Sequence, residues 1–203
     1  MRYVTDEATL QELVGGAPKD RSLRKQLDHL DESARRFLAA SPFYVLATSG
    51  ADGTCDATPR GDEPGFALAL DGRTLALPER PGNRRLDSLR NVLGNPQVGL
   101  LFVVPGIAHT LRVNGTARLV ADAEFFDRMT VFGKRPVLAL VVTVTECYFH
   151  CSKAFIRSRL WESDAWPDRA SVPSLGGALR DRLGLDDAEV ALADQPLARA
   201  ETF

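Results

Sequence analysis

Two apolar runs meet across one dipeptide in residues 65–78, GFALALDGRTLALP. Asp71-Gly72 between them is hairpin chemistry, because the positive-φ positions of the tightest antiparallel turns favour Asp, Asn and Gly. A chain built around this segment is committed to antiparallel pairing, and its neighbours repeat the theme. FYVLATS (Phe43 to Ser49) is β-branched and aromatic, and GADG at 50–53 offers a second hairpin loop leading into TCDATP. VGLLFVVP (98–105) reads as a buried strand. HTLRVNGTARLV (109–120) alternates with period two up to Gly115, where a bulge or bend is expected, and the longest strand runs from about Val137 to Phe149. Six or seven such strands, with only short helices between them, predict a mainly β fold, an antiparallel barrel that is closed or nearly closed. Strand and crossover helix do not alternate regularly, and neither GxGxxG nor GxxxxGK[ST] occurs, which disfavours a doubly wound parallel sheet.

The flanks differ from this centre. Residues 1–30 read as a polar extension with short helices over Glu7 to Val14 and Leu23 to Leu30; residues 31–161 form the domain; residues 162–203, broken by Pro167, Pro173, Pro196 and Gly176-Gly177, read as a C-terminal arm. Within the domain, DESARRFLAAS is a capped helix ended by Ser41-Pro42, Asp122 is expected to cap AEFFDRMTVF with Gly133 as its stop, and a helix is expected over 152–161. The longest apolar run, VLALVVTV, is too short to span a membrane, and the acidic N-terminus lacks a signal segment. Three cysteines without paired spacing suit a reducing cytoplasm. With 25 Lys and Arg against 27 Asp and Glu, a net charge of −2, the chain has no general attraction to nucleic acid or an anionic membrane, so any anion site must be local.

Such a site is suggested by LPERPGNRRLDSLRNVLGNP (77–96). Here Asn83 is the expected N-cap, Leu86, Leu89, Val92 and Leu93 the buried face, and Gly94 the left-handed stop. Arg84 and Arg85 then occupy the first helical turn, with Arg80 just upstream. Cations there oppose the helix dipole by ~0.3–1 kcal/mol each, so they need a partner: a bound anion such as a phosphate monoester, or Asp87 and Glu79. In TPRGDEPGF (58–66), Arg60 follows a proline and precedes Gly61, which allows close backbone approach to a ligand; the alternative is an ion pair with Asp62 or Glu63. On a helix over 152–161, Lys153, Arg157 and Leu160 share one side. Cys147, His150 and Cys151 are divided between strand faces, so no metal site is expected, and His109 reads as structural. No serine elbow, triad or paired-carboxylate motif stands out. No catalytic residue is assigned, and the chemistry is expected to be a cofactor's.

In this order, SPFYVLATSGADGTCDATPRGD, TLALPERPGNRRLDSLRNVLGNPQVGLLFVVPG, HTLRVNGTARLV and YFHCSKAFIRSRLW resemble the FMN-binding split barrels of the pyridoxamine 5′-phosphate oxidase-like superfamily over roughly Asp31 to Trp161. The resemblance implies a cytoplasmic homodimer with FMN at the subunit interface. By it, Arg84 and Arg85, supported by Asn83 or Arg80, hold the phosphate; Thr58, Pro59 and Arg60 lie along the flavin; Pro78 and Glu79 present backbone groups to the ring; and Lys153, Arg157 and Ser158 complete the site, from the same subunit or from the other. A cation near the flavin's carbonyl edge stabilises the reduced anion. After Trp161 nothing matches the Arg-Leu-His type motif of the namesake, so oxidation of pyridoxamine phosphate is not expected. The implied activity is transfer of hydride or electrons between NAD(P)H and a small acceptor. The alternatives are a non-catalytic flavin-binding or sensing module and, against the balanced charge, a nucleic-acid-binding protein.

Overall fold

The computed structural model describes residues 1–196. Three short helices come first: α1 (Glu7–Val14), α2 (Asp20–Arg24) and α3 (Glu32–Ala40). Strands β1 (Phe43–Ser49), β2 (Cys55–Gly61), β3 (Leu68–Ala69) and β4 (Thr74–Pro78) follow, then α4 (Asp87–Gly94), β5 (Gln97–Val103), β6 (Thr110–Val120) and β7 (Ala139–His150). The chain continues through α5 (Lys153–Ser158), α6 (Leu175–Leu183) and α7 (Asp187–Ala193). The strands form one antiparallel sheet in the order β2-β1-β5-β6-β7-β4-β3. It curls as a split barrel without closing, since β2 and β3 remain at its two ends.

One face of the curled sheet holds the core. Leu46, Leu75, Leu77, Leu100, Phe102, Leu111, Val113 and Val142 are almost wholly buried, each contributing on the order of 2 kcal/mol by leaving water. α3 closes this core with Ala34, Phe37 and Leu38, its first turn fixed by Asp31, whose carboxylate accepts from the Ala34 amide at 2.8 Å. A smaller cluster of Ala76, Phe126, Met129 and Ala139 packs beneath a 3-10 turn at Glu124–Met129. The expected bulge at Gly115 is present: Asn114 pairs with Glu146 but Gly115 pairs with Val144, leaving Thr145 as the extra residue.

Several local expectations are corrected. Gly72 does not adopt positive φ; the β3–β4 connection is wider, spanning 70–73, with the Leu70 amide bonded to the Thr74 carbonyl. α2 stops at Arg24, and Leu27, expected within a helix over 23–30, instead bridges Cys147 on β7. Asp122 does not cap the 3-10 turn; it binds Arg135 at 2.9 Å. α5 ends at Ser158 because Arg159 turns left-handed (φ 54°), so Leu160 lies beyond the helix that was to align it with Lys153 and Arg157.

The buried face of β7 also carries Cys147, 2% exposed, its thiol pushed up to about 11 chiefly by burial. Cys55 and Cys151 are exposed. A native-state thiol titration is therefore expected to spare Cys147, which reacts only on denaturation; mass mapping of the alkylated protein checks this, and labelling at Cys147 before unfolding would contradict it.

Candidate functional site

A cleft of about 860 Å³ lies at the end of the β4–β7 ladder, beside edge strand β2. Nine of the residues expected at the site line it: Thr58, Pro59, Arg60, Pro78, Glu79, Arg80, Asn83, Arg84 and Arg85. They come from two places that the sheet order separates, the edge strand and the loop after β4. What unites them is the curl of the sheet, which brings the β2 end beside that loop.

The loop differs from the expectation. α4 begins at Asp87, not Asn83; its N-cap is Leu86, in the left-handed region at φ 61° and without a side-chain cap. Arg84 and Arg85 therefore precede the helix, and the conflict with its dipole does not arise, since Asp87 occupies the first turn. Nor is Gly94 left-handed: it is the last helical residue, followed by an extended Asn95. In place of that conflict stands backbone strain. Arg84 (φ 58°) and Leu86 (φ 61°) both occupy a region that costs an L-residue ~1–2 kcal/mol, and non-glycine residues held there concentrate at ligand sites. Asn83 pins the turn by accepting from the Arg85 amide at 3.0 Å.

The cations of the cleft are partnered unequally. Arg80 donates to Asp62 and to the Met129 carbonyl, both at 2.7 Å, and so ties two loops together. Arg60 pairs with Glu79 at 3.2 Å rather than with Asp62 or Glu63; burial raises the Glu79 carboxyl above its ordinary value, with Arg60 pulling it back. Arg85 pairs with Asp87 at 2.8 Å, as the purely structural alternative required. Arg84 makes no ion pair among the described residues. Thr58 meets Ser88, at the start of α4, through a hydroxyl–hydroxyl bond of 2.8 Å.

Sequence reasoning missed Phe66, Ser88 and the wall formed by Lys134–Val137. That wall follows a tight turn in which Phe132 (φ 48°) and Gly133 (φ 71°) are both left-handed. It is held in place by Arg135, which binds Asp122 and Asp127 at 2.9 Å each and covers the Phe126 ring. The Glu79 amide bonds to the Leu138 carbonyl, so both loops leave the same end of the ladder. The basic pair after Gly133 was the available signal.

Lys153, Arg157 and Ser158 do not join the cleft of their own chain. They follow the far end of β7, whose 12 residues span roughly 36 Å if straight. Beside the cleft, the outer face of the sheet carries nine apolar residues in three cross-strand rows: Gly61, Phe43 and Val103; Pro59, Val45 and Leu101; Ala57, Ala47 and Gly99. None of the nine is fully buried among the described residues, and Ala57, Pro59 and Gly61 belong to the cleft wall as well. Among the described residues no helix is long and apolar enough to cross a membrane, and no cluster of metal-ligating side chains occurs.

A family model described as pyridoxamine 5′-phosphate oxidase matches residues 30–151, more than half of the chain. The chain belongs to that family. Similar solved structures include an FMN-binding protein from Syntrophomonas wolfei (13% identity, covering 71% of this chain and 93% of that one, TM-score 0.46). A protein related to general stress protein 26 from Clostridium acetobutylicum is 17% identical over 58% of this chain and 85% of that one, TM-score 0.44. HupZ from Group A Streptococcus is 17% identical over 56% and 88%, TM-score 0.44. No curated protein matches the chain by sequence.

Proposed function

We propose that the chain is a homodimeric FMN-binding oxidoreductase whose clefts lie at the subunit interface. The observation that carries this reading is the strained loop 83–86, which points an arginine without an ion pair, Arg84, at a cleft of about 860 Å³. The cleft suits FMN in its parts. Arg84 and Arg85 offer guanidinium groups to a phosphate, and the amides at the start of α4 lie beside them. Phe66, Pro59 and Pro78 give apolar surface for a planar ring, and Thr58, Arg60 and Glu79 supply polar groups along it. When bound, FMN supplies hydride and electron transfer, with NAD(P)H as the donor and a small molecule as the acceptor. Arg60, part-buried against Glu79, places positive charge at the ring and favours a reduced, anionic flavin.

The apolar outer face supports the dimer. Uncovered apolar patches of this kind mark interaction sites, and a second copy seated on it borders the cleft because three residues are shared. In that arrangement Lys153, Arg157 and Ser158 serve the partner's cleft, which explains why they lie a strand's length from their own. Protein purified and reconstituted with FMN is expected to show flavin absorption near 450 nm after dialysis, to elute at twice the 22.2 kDa chain mass, and to bleach with NADH or NADPH. Failure to retain flavin would refute the cofactor; retention without bleaching would favour a sensing module over an enzyme.

A further inference from the structure

Beneath the cleft lies a polar group that the core does not use. Tyr44 on β1 is 2% exposed, and its ring is packed on both sides, against Phe66 at 5.5 Å and Phe102 at 5.0 Å. Its hydroxyl makes no hydrogen bond among the described residues. The hydroxyl is not sealed from solvent, so it is open to a partner from outside the core, and phenylalanine would fill the same packing without a polar atom to satisfy. Tyr44 is not itself a lining residue of the cleft, but its neighbours are. Tyr44 pairs in register with Arg60 across β1 and β2, Phe66 lines the cleft, and the phenol responds to Arg60 and Glu79, the ion pair of the cleft wall. Burial drives its pKa well above the ordinary value, so it stays protonated and can donate.

Resting on the FMN reading above, we infer that Tyr44 is a ligand-binding residue whose hydroxyl donates a hydrogen bond to the polar edge of the flavin ring, in concert with Arg60 and Glu79. The inventory fits that edge. A flavin's pyrimidine ring ends in carbonyl, N–H and carbonyl, an acceptor, a donor and an acceptor; Arg60 and Tyr44 are donors and Glu79 is an acceptor. The group is also distinct from the phosphate anchor, since it recognises the ring and not the charge.

The test is Tyr44→Phe, which removes one oxygen and keeps both ring contacts, measured by titrating apoprotein with FMN and with riboflavin, which has the ring but no phosphate. We expect about tenfold weaker binding of both ligands, a shifted flavin absorption envelope, and an apoprotein thermal midpoint that is unchanged or raised. A residue that only supported the fold would lower the midpoint and leave the ring's spectrum alone. If wild type binds FMN and Tyr44→Phe binds it within twofold with the same spectrum, this inference falls while the FMN reading stands. If wild type takes up neither ligand, both fall.

Discussion

Arg84→Glu is expected to release FMN, weakening its binding by roughly 100- to 1,000-fold, while the melting midpoint of the apoprotein stays within a degree or two of wild type. The size follows from charge. Arg84 faces the cleft without an ion pair among the described residues, so in the free protein its positive charge is uncompensated. A charge-assisted bond to a phosphate contributes about 1.5–3 kcal/mol, and reversal replaces it with repulsion, giving about 3–4 kcal/mol in all. Small change in the fold follows from the same fact: Arg84 is exposed and no partner is left behind. Arg85→Glu is expected to lose the cofactor too, with some loss of local order, because it sets two carboxylates against each other at Asp87. Fluorescence titration of FMN against both variants decides the matter; unchanged affinity would mean that the loop's cations are ordinary solvated charge.

The largest effect on stability is expected at Gly115. A Cβ there would lie 2.1 Å from the Thr143 carbonyl oxygen and 3.0 Å from Val142 Cγ1, and neither a ladder carbonyl nor a core valine has room to withdraw. Gly115→Val is therefore expected to destabilise by about 4 kcal/mol or more, a large part of the ~5–15 kcal/mol that holds a domain together. Gly99→Ala is the comparison: its nearest obstacle is the Asn114 side-chain oxygen at 3.3 Å, which can rotate. Urea denaturation should separate the two by several kcal/mol, and similar midpoints would show that the bulge yields.

The strands were readable because their signal is local. Alternation around Gly115, the Gly50–Gly53 loop and the apolar run of β5 each lie within a dozen residues, and all three appear in the structure. Turn and cap details were less secure because each depends on distant atoms. Gly72 gives its carbonyl to the Leu30 amide and keeps negative φ, and Leu27 leaves the helical pattern to pair with Cys147 on β7. The site divides in the same way. Arg84 and Arg85 were singled out by a conflict with a helix dipole that the structure removes, and Arg60 by its place between a proline and a glycine; all three line one cleft. The ion pairs Arg60–Glu79 and Arg80–Asp62, the Lys134–Val137 wall and the Tyr44 hydroxyl arise from the curl of the sheet, which no local pattern encodes.

The length of β7 has a last consequence. One strand separates a chain's own cleft from its α5, and if the proposed dimer draws its site from two subunits, FMN binding and dimerisation are coupled. FMN would tighten the dimer by the same factor that dimerisation tightens FMN. Diluting the protein below the concentration at which its subunits part would then release flavin even in excess cofactor, so affinity for FMN becomes a property of how much protein is present.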